Sequence, residues 1–192
     1  VTVYEASIHY RLVFLGPVAS GSGNATGRAD HGIARENGTP FIPGSQMRGI
    51  LRHRVEQVAA LFGAGVGAVE RLFGADGQEP ALRFSDLRAA AEEPGCTEVR
   101  QRVSISRRTG TQVSGRLFSM EVWRVPQLSG RVDIFHSGNT STADADLGVV
   151  IAALRLVDAV GHARSAGLGS CKVELGEVSV NGSPVDLAGL PA

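Results

Sequence analysis

The sequence predicts an α+β domain, a ferredoxin-like (RRM-like) sheet with loop and hairpin insertions, and three observations predict it. The opening "TVYEASIHYRLVFLGPV" alternates polar and apolar residues through Val3, Ile8, Tyr10, Leu12 and Phe14, an imperfect period of two that marks a long strand. Two later stretches, Ser45 to Phe62 and "NTSTADADLGVVIAALRLVDAV", carry apolar residues at helical spacing. Strand-like segments fall between and after them, so the elements run β, α, β, β, α, β, the order of that fold.

Each element has its own local reason. After the first strand, "ASGSGNATGRADHGIARENGTP" holds too much Gly, Asn and Asp for regular structure and reads as a long loop, a length that usually signals function or disorder. Pro43 stiffens the chain before the first helix and Ser45 is its expected N-cap. Met47, Ile50, Leu51, Val55, Val58 and Phe62 form the buried stripe of that helix. "VGAVERLFG" is a short second helix and "ALRFSDLRAA" a strand. "TEVRQRVSISRRTG" and "GRLFSMEVW" flank the turn-rich "RRTGTQVSG" and predict a protruding hairpin. "GRVDIFH" is a further strand. The last helix is expected to be capped near Ser141 or Thr142, with Asp144 and Asp146 complementing its dipole. "GHARSAGLGS" is a glycine loop and "CKVELGEVSV" closes the sheet.

Composition narrows the function. Of 192 residues 43% are hydrophobic and 20% charged, and formal net charge is zero, so no bulk attraction to nucleic acid or membrane follows. Distribution matters more. Arg100, Arg102, Arg107, Arg108, Arg116, Arg124 and Arg131 crowd one stretch against a single acid, Glu121. Arginine suits bidentate phosphate contacts and stacking on bases; general use of Arg in place of Lys explains the count equally well. Cys96 and Cys171 lie far apart without metal-ligand spacing and fit free thiols in a reducing cytoplasm. No apolar run reaches membrane-spanning length, so a cytoplasmic protein with no membrane partner is expected. His9, His53 and His136 have no sequence partner and read as structural.

Two glycine runs invite nucleotide-binding readings. "GSGNATG" lacks the Lys-Ser/Thr of a P-loop, misses GxGxxG and opens no helix, so it reads as a mobile loop for close backbone approach. "GHARSAGLGS" is either a long helix-to-strand turn or a backbone clamp on phosphates, with Arg164 supplying charge. At the first helix, Ser45, Arg48 and Arg52 gather where free N–H groups and the dipole already attract anions.

"PFIPGSQMRGILR", "RLFGADGQEPALRFSDL", "VSISRRTGTQVSGRLFSMEVW" and "GHARSAGLGSCKVEL" follow in that order. Together they resemble the RAMP superfamily of CRISPR-associated proteins, in particular the repeated backbone subunit of type III effector complexes, from about Gly21 to Leu175. The resemblance implies one RAMP domain over 1–192, with a modified RRM-like core, a short thumb-like hairpin around 104–118 and a glycine-rich loop at 161–170. It implies subunits stacked head to tail along a CRISPR RNA beside other effector-complex subunits, a thumb that kinks the guide, and capture of complementary target RNA.

Carried onto this chain, the resemblance assigns RNA binding to Ser45, Gln46, Arg48 and Arg52 at the first helix. It adds Arg107, Arg108 and Thr109 on the thumb, and His162, Arg164, Ser165, Gly167 and Gly169 in the glycine loop. Ser170 and Cys171 stand where relatives often have a basic residue. In cleaving members a loop aspartate before the proline-containing turn cuts bound target RNA with a divalent cation, Mg2+. The matching residue is Asp30 in "GRADHGIAREN", with His31 beside it. Such a carboxylate positions the attacking 2′-hydroxyl or holds the cation that stabilises the leaving oxygen; a loop Asp also commonly caps a turn. The alternatives are a non-catalytic structural RAMP subunit, a metal-independent guide-processing endoribonuclease using a histidine base, and an RRM-like module without an RNA partner.

Overall fold

Alternation along β1 (Val3–Phe14) sorts its side chains between two environments: Tyr4, Ala6, Ile8, Tyr10 and Leu12 are buried, whereas Glu5, His9 and Arg11 are exposed. The computed structural model describes residues 3–21, 29–62, 67–137 and 140–186. Within them, β1 is the middle of a five-stranded antiparallel sheet of order β4-β7-β1-β8-β9. Its neighbours are β7 (Gln127–Ser137) and β8 (Cys171–Val180), with β4 (Leu82–Phe84) on one edge and β9 (Ser183–Pro184) on the other. The four strands β4, β7, β1 and β8 reproduce the ferredoxin-like order expected from the sequence.

Helix α1 (Gly44–Phe62) and helix α3 (Thr140–Arg155) pack on each other and on one face of this sheet, with α2 (Gly67–Phe73) beside α1. Met47, Leu51, Val55 and Val58 form the buried stripe of α1, as the periodicity requires, and Ile50 packs at its margin. The first glycine run from 22 to 28, and the side chains of Phe62 and Arg116, lie outside the described residues.

Local signals were misplaced at three helix or loop boundaries. Ser45 is not the N-cap: α1 already starts at Gly44, whose N–H donates to Asp86 Oδ1 (2.9 Å), while the Gln46 N–H donates to the Pro43 carbonyl (3.0 Å). Asp86, from the segment after β4, satisfies the helix start from outside. A side chain at residue 44 would lie 2.8 Å from the Phe84 and Ser85 carbonyl oxygens, so only glycine lets the helix start this close. Ser141 and Thr142 sit inside the first turn of α3, which begins at Thr140. Asp144 and Asp146 are tertiary partners: the Tyr4 hydroxyl donates to Asp144 (2.9 Å), and buried Asp146 takes Arg71 (2.9 and 3.1 Å) and His136 (3.0 Å). Finally, the supposed loop contains a small hairpin, β2 (Arg35–Glu36) and β3 (Thr39–Pro40), turned by Asn37-Gly38 at positive φ.

The largest departure is the protruding hairpin. It forms a separate two-stranded sheet of β5 (Cys96–Ile105) and β6 (Gln112–Arg124), much longer than the short thumb expected around 104–118. The tip is a turn at 106–111, shorter than the predicted turn "RRTGTQVSG", whose residues 112–115 already belong to β6, and the arginine-rich strands flanking it continue the pairing down to Cys96 and Arg124.

A paired substitution tests the packing at the start of α1. Gly44→Ala forces a methyl against two backbone carbonyls and costs about 1–3 kcal/mol in urea unfolding. Gly49→Ala meets open space within the same helix and adds about 0.5–1 kcal/mol.

Candidate functional site

Trp123 fixes the base of the hairpin. It is buried, its indole N–H donates to the Pro94 carbonyl (2.9 Å), and its backbone exchanges two hydrogen bonds with Val18 (2.7 and 2.8 Å). Because Trp123 sends both backbone groups outward, the Thr97–Trp123, Val99–Glu121 and Gln101–Ser119 pairs leave the outer edge of β6 free to bond elsewhere. That edge is occupied. His31 pairs in parallel with Met120, its N–H donating to the Ser119 carbonyl (3.2 Å) and its carbonyl accepting the Glu121 N–H (2.9 Å). The segment 30–35 thus runs along β6 as a partial third strand.

Two side-chain clamps hold it there. Glu121, only 5% exposed, accepts Arg35 through both oxygens (2.6 and 2.8 Å) and the Ile33 N–H (3.1 Å). The Arg35 bonds hold the Glu121 carboxyl below its ordinary 4.5, outweighing the upward push of burial, with Ile33 adding to them. At the other end, Asp30 Oδ2 accepts the Ser119 N–H (2.7 Å) and hydroxyl (2.8 Å), and the Asp30 N–H donates back to Ser119 Oγ (3.0 Å). The Ser119 N–H, then its hydroxyl, hold the Asp30 carboxyl below its ordinary 3.8. Asp30 is exposed and ionised at neutral pH, with both Ser119 bonds on one oxygen.

A cleft of about 470 Å³ lies between α1 and the glycine loop, and Ser45, Gln46, His53, Arg54, His162 and Arg164 contribute to its walls. Arg54 is held by Asp158 (2.5 Å) and Gln57 (3.0 Å), whereas Arg164 makes no ion pair among the described residues. His162 also borders a more apolar cavity of about 380 Å³ that His31 lines from the other side. The glycine loop is a packed turn rather than a loose clamp. Its residues 164–166 form a 3-10 turn, the His162 N–H donates to the Ala19 carbonyl (2.7 Å), and the Gly169 N–H donates to Pro17 (2.9 Å). A side chain at Gly161 or Gly169 would strike the Ala19 or Val160 carbonyl, at 2.3 and 1.8 Å.

The residues expected to bind RNA therefore separate. Ser45, Gln46, His162 and Arg164 share the cleft. Arg48 lies outside it and donates to the Phe73 carbonyl (2.7 Å), closing the end of α2; Arg52 pairs with Glu56 along α1 (3.5 Å). Arg107, Arg108 and Thr109 are exposed at the hairpin tip, and the two arginines have no ion pair among the described residues. Ser165 and Gly167 lie in the exposed part of the glycine loop, and Gly169 is buried. Sequence reading missed Arg54 and took His53 as structural; both face the cleft, about two turns beyond Ser45 and Gln46. It also missed Ser119, Glu121 and Arg35, although the lone acid in an arginine-rich stretch was a signal.

Among the described residues no group of three or more His, Cys, Asp or Glu is placed to hold a metal ion. Mg2+ commonly takes one or two carboxylates and completes its shell with water and substrate phosphates. Asp30 fits that shared kind of site, not an all-protein one.

Comparison with known proteins gives one finding: the family model described as RAMP superfamily matches residues 11–172, most of the chain. No curated protein matches it.

The Glu121 clamp has a pH signature. A carboxyl whose folded pKa is depressed stabilises fully above its unfolded value, and that contribution is lost as pH falls through the folded value. Glu121→Gln is therefore expected to cost about 1–3 kcal/mol at neutral pH. Urea titrations should show the gap to wild type shrinking as pH drops below 4.5; a constant gap would show that the charge on Glu121 is not what holds Arg35.

Proposed function

The chain belongs to the RAMP superfamily, CRISPR-associated RNA-binding proteins, and on that premise we propose that it is a backbone subunit of a type III CRISPR effector that holds guide RNA and cuts bound complementary RNA at Asp30. The observation that carries the cutting role is the presentation of Asp30: an exposed, ionised carboxylate fixed on the edge of a basic hairpin. The guide backbone runs through the cleft, where Arg164, Arg54, His162 and the opening residues of α1 supply donors and positive charge. Arg107 and Arg108 at the tip extend the phosphate contacts. Copies stacked head to tail along the guide would repeat this arrangement.

The downward shift of the Asp30 carboxyl, caused by its Ser119 bonds, supports one of its two chemical roles. A good general base titrates near the working pH, and this group lies far below it. Asp30 is a poor proton acceptor but a permanent negative charge. It orients the 2′-hydroxyl of the target strand by accepting its hydrogen bond; as the 2′-oxygen bonds to the adjacent phosphorus and the P–O5′ bond breaks, the 2′-hydroxyl proton passes to solvent water and the leaving 5′-oxygen takes a proton from water. Asp30 would hold a divalent cation, Mg2+, whose chemistry there would be to stabilise charge on the leaving oxygen. A second reading, a non-catalytic structural subunit, is favoured by the same hydrogen bonds, which make Asp30 a pin for the hairpin.

Asp30→Ala separates the two. In the complex assembled on guide RNA, the cutting role requires unchanged guide affinity and a loss of target cleavage of roughly a hundred-fold or more. Cleavage at the wild-type rate leaves only the structural role.

Phosphate contacts predict a salt dependence. For single strands each contributes roughly 0.7 to the slope of log K against log salt, so replacing Arg107, Arg108 and Arg164 with alanine should reduce the slope by about 2. An unchanged slope would place these arginines against protein or solvent.

A further inference from the structure

We infer that Ser119 is a positioning residue for Asp30, locking the cutting carboxylate to the hairpin so that strand β6 and Asp30 move as one body. The inference rests on the cutting role proposed for Asp30 and adds how that group is aimed.

Ser119 commits all three of its polar groups to two consecutive residues. Its N–H and hydroxyl donate to Asp30 Oδ2 (2.7 and 2.8 Å), its Oγ accepts the Asp30 N–H (3.0 Å), and its carbonyl accepts the His31 N–H (3.2 Å). Opposite it on β5 stands Gln101, whose pairing leaves the outward groups of Ser119 for this purpose. The arrangement fixes the Asp30 backbone and one carboxylate oxygen together, which restricts rotation about the side chain, and neither Ser119 bond falls on the second oxygen. Downstream, the Arg35–Glu121 pair and the Ile33 N–H hold the same segment to the same strand. Precise aim is worth this much structure, because a misplacement of about 1 Å can cost roughly a hundred-fold in rate.

The test uses the full chain assembled on guide RNA. Ser119→Ala keeps the backbone bonds of the strand and deletes the hydroxyl; Ser119→Thr keeps the hydroxyl in a residue that strands favour. We expect Ser119→Ala to lower kcat for complementary RNA by roughly ten- to a hundred-fold, with KM and guide affinity unchanged, and Ser119→Thr to restore most of it. Amide hydrogen exchange gives a second readout without catalysis: the Asp30 N–H should exchange faster in Ser119→Ala and regain protection in Ser119→Thr. Equal protection in the alanine variant, or wild-type kcat in it, overturns the inference. The reading of Asp30 itself fails separately, through Asp30→Ala retaining cleavage while Asp30 exchange still responds to Ser119.

Discussion

A carboxylate buried at the foot of a hairpin organises the functional half of this molecule. Glu121 sits in a strand whose neighbours Val122 and Trp123 are fully enclosed, and a charge there is tolerable only if it is paired and hydrogen-bonded. Arg35 and the Ile33 N–H meet that need from a segment far away in sequence. Satisfying Glu121 thus drags residues 30–35 onto the outer edge of β6, and Asp30 is placed on Ser119 as a consequence. The hairpin edge is also closed by this docking, which removes an exposed row of strand donors and acceptors.

The open face of the sheet is poorly suited to stacking RNA bases despite its RRM-like topology. Its uncovered face is laced by its own contacts: Ser7 to Asp133 (2.7 Å), Arg131 to Asp133 (3.1 Å) and Arg11 to Glu174 (3.2 Å). Phe135, an aromatic on that face, already has the Arg83 guanidinium over its ring at 4.9 Å. Stacking on bases needs free aromatic faces, and aromatics are only 5% of the chain. The opposite arrangement holds at the cleft and hairpin tip, where Arg107, Arg108 and Arg164 make no ion pair among the described residues.

The core was legible in the sequence because its signals are local. Period-two alternation placed β1, a helical stripe placed α1, and the order of elements gave the sheet. What failed was set by distant partners. Ser45 has the right chemistry for an N-cap, but Asp86 reaches the helix start first because Gly44 lets β4 approach. Arg48 and Arg52 looked like a phosphate seat beside Ser45, yet Arg48 donates to the Phe73 carbonyl, Arg52 pairs with Glu56, and neither lines the cleft that Gln46, His53 and Arg54 face. The candidate site was half visible. Asp30 and Arg164 stood out by motif, while Ser119 is an ordinary strand serine until β6 acquires its third strand. Glu121 was visible as an oddity, and only the fold shows that Arg35 is its reason.

The central claim is that RNA lies in the cleft between α1 and the glycine loop and passes the hairpin edge that carries Asp30, and not on the open sheet. Photo-cross-linking of guide RNA bearing 4-thiouridine to the full chain, read by mass spectrometry, tests it most directly. The account predicts cross-links in peptides covering 45–54, 161–166 and 106–111. Cross-links concentrated on Phe135, Arg83 and Arg131 would contradict it, because they would put the RNA on the open face of the sheet.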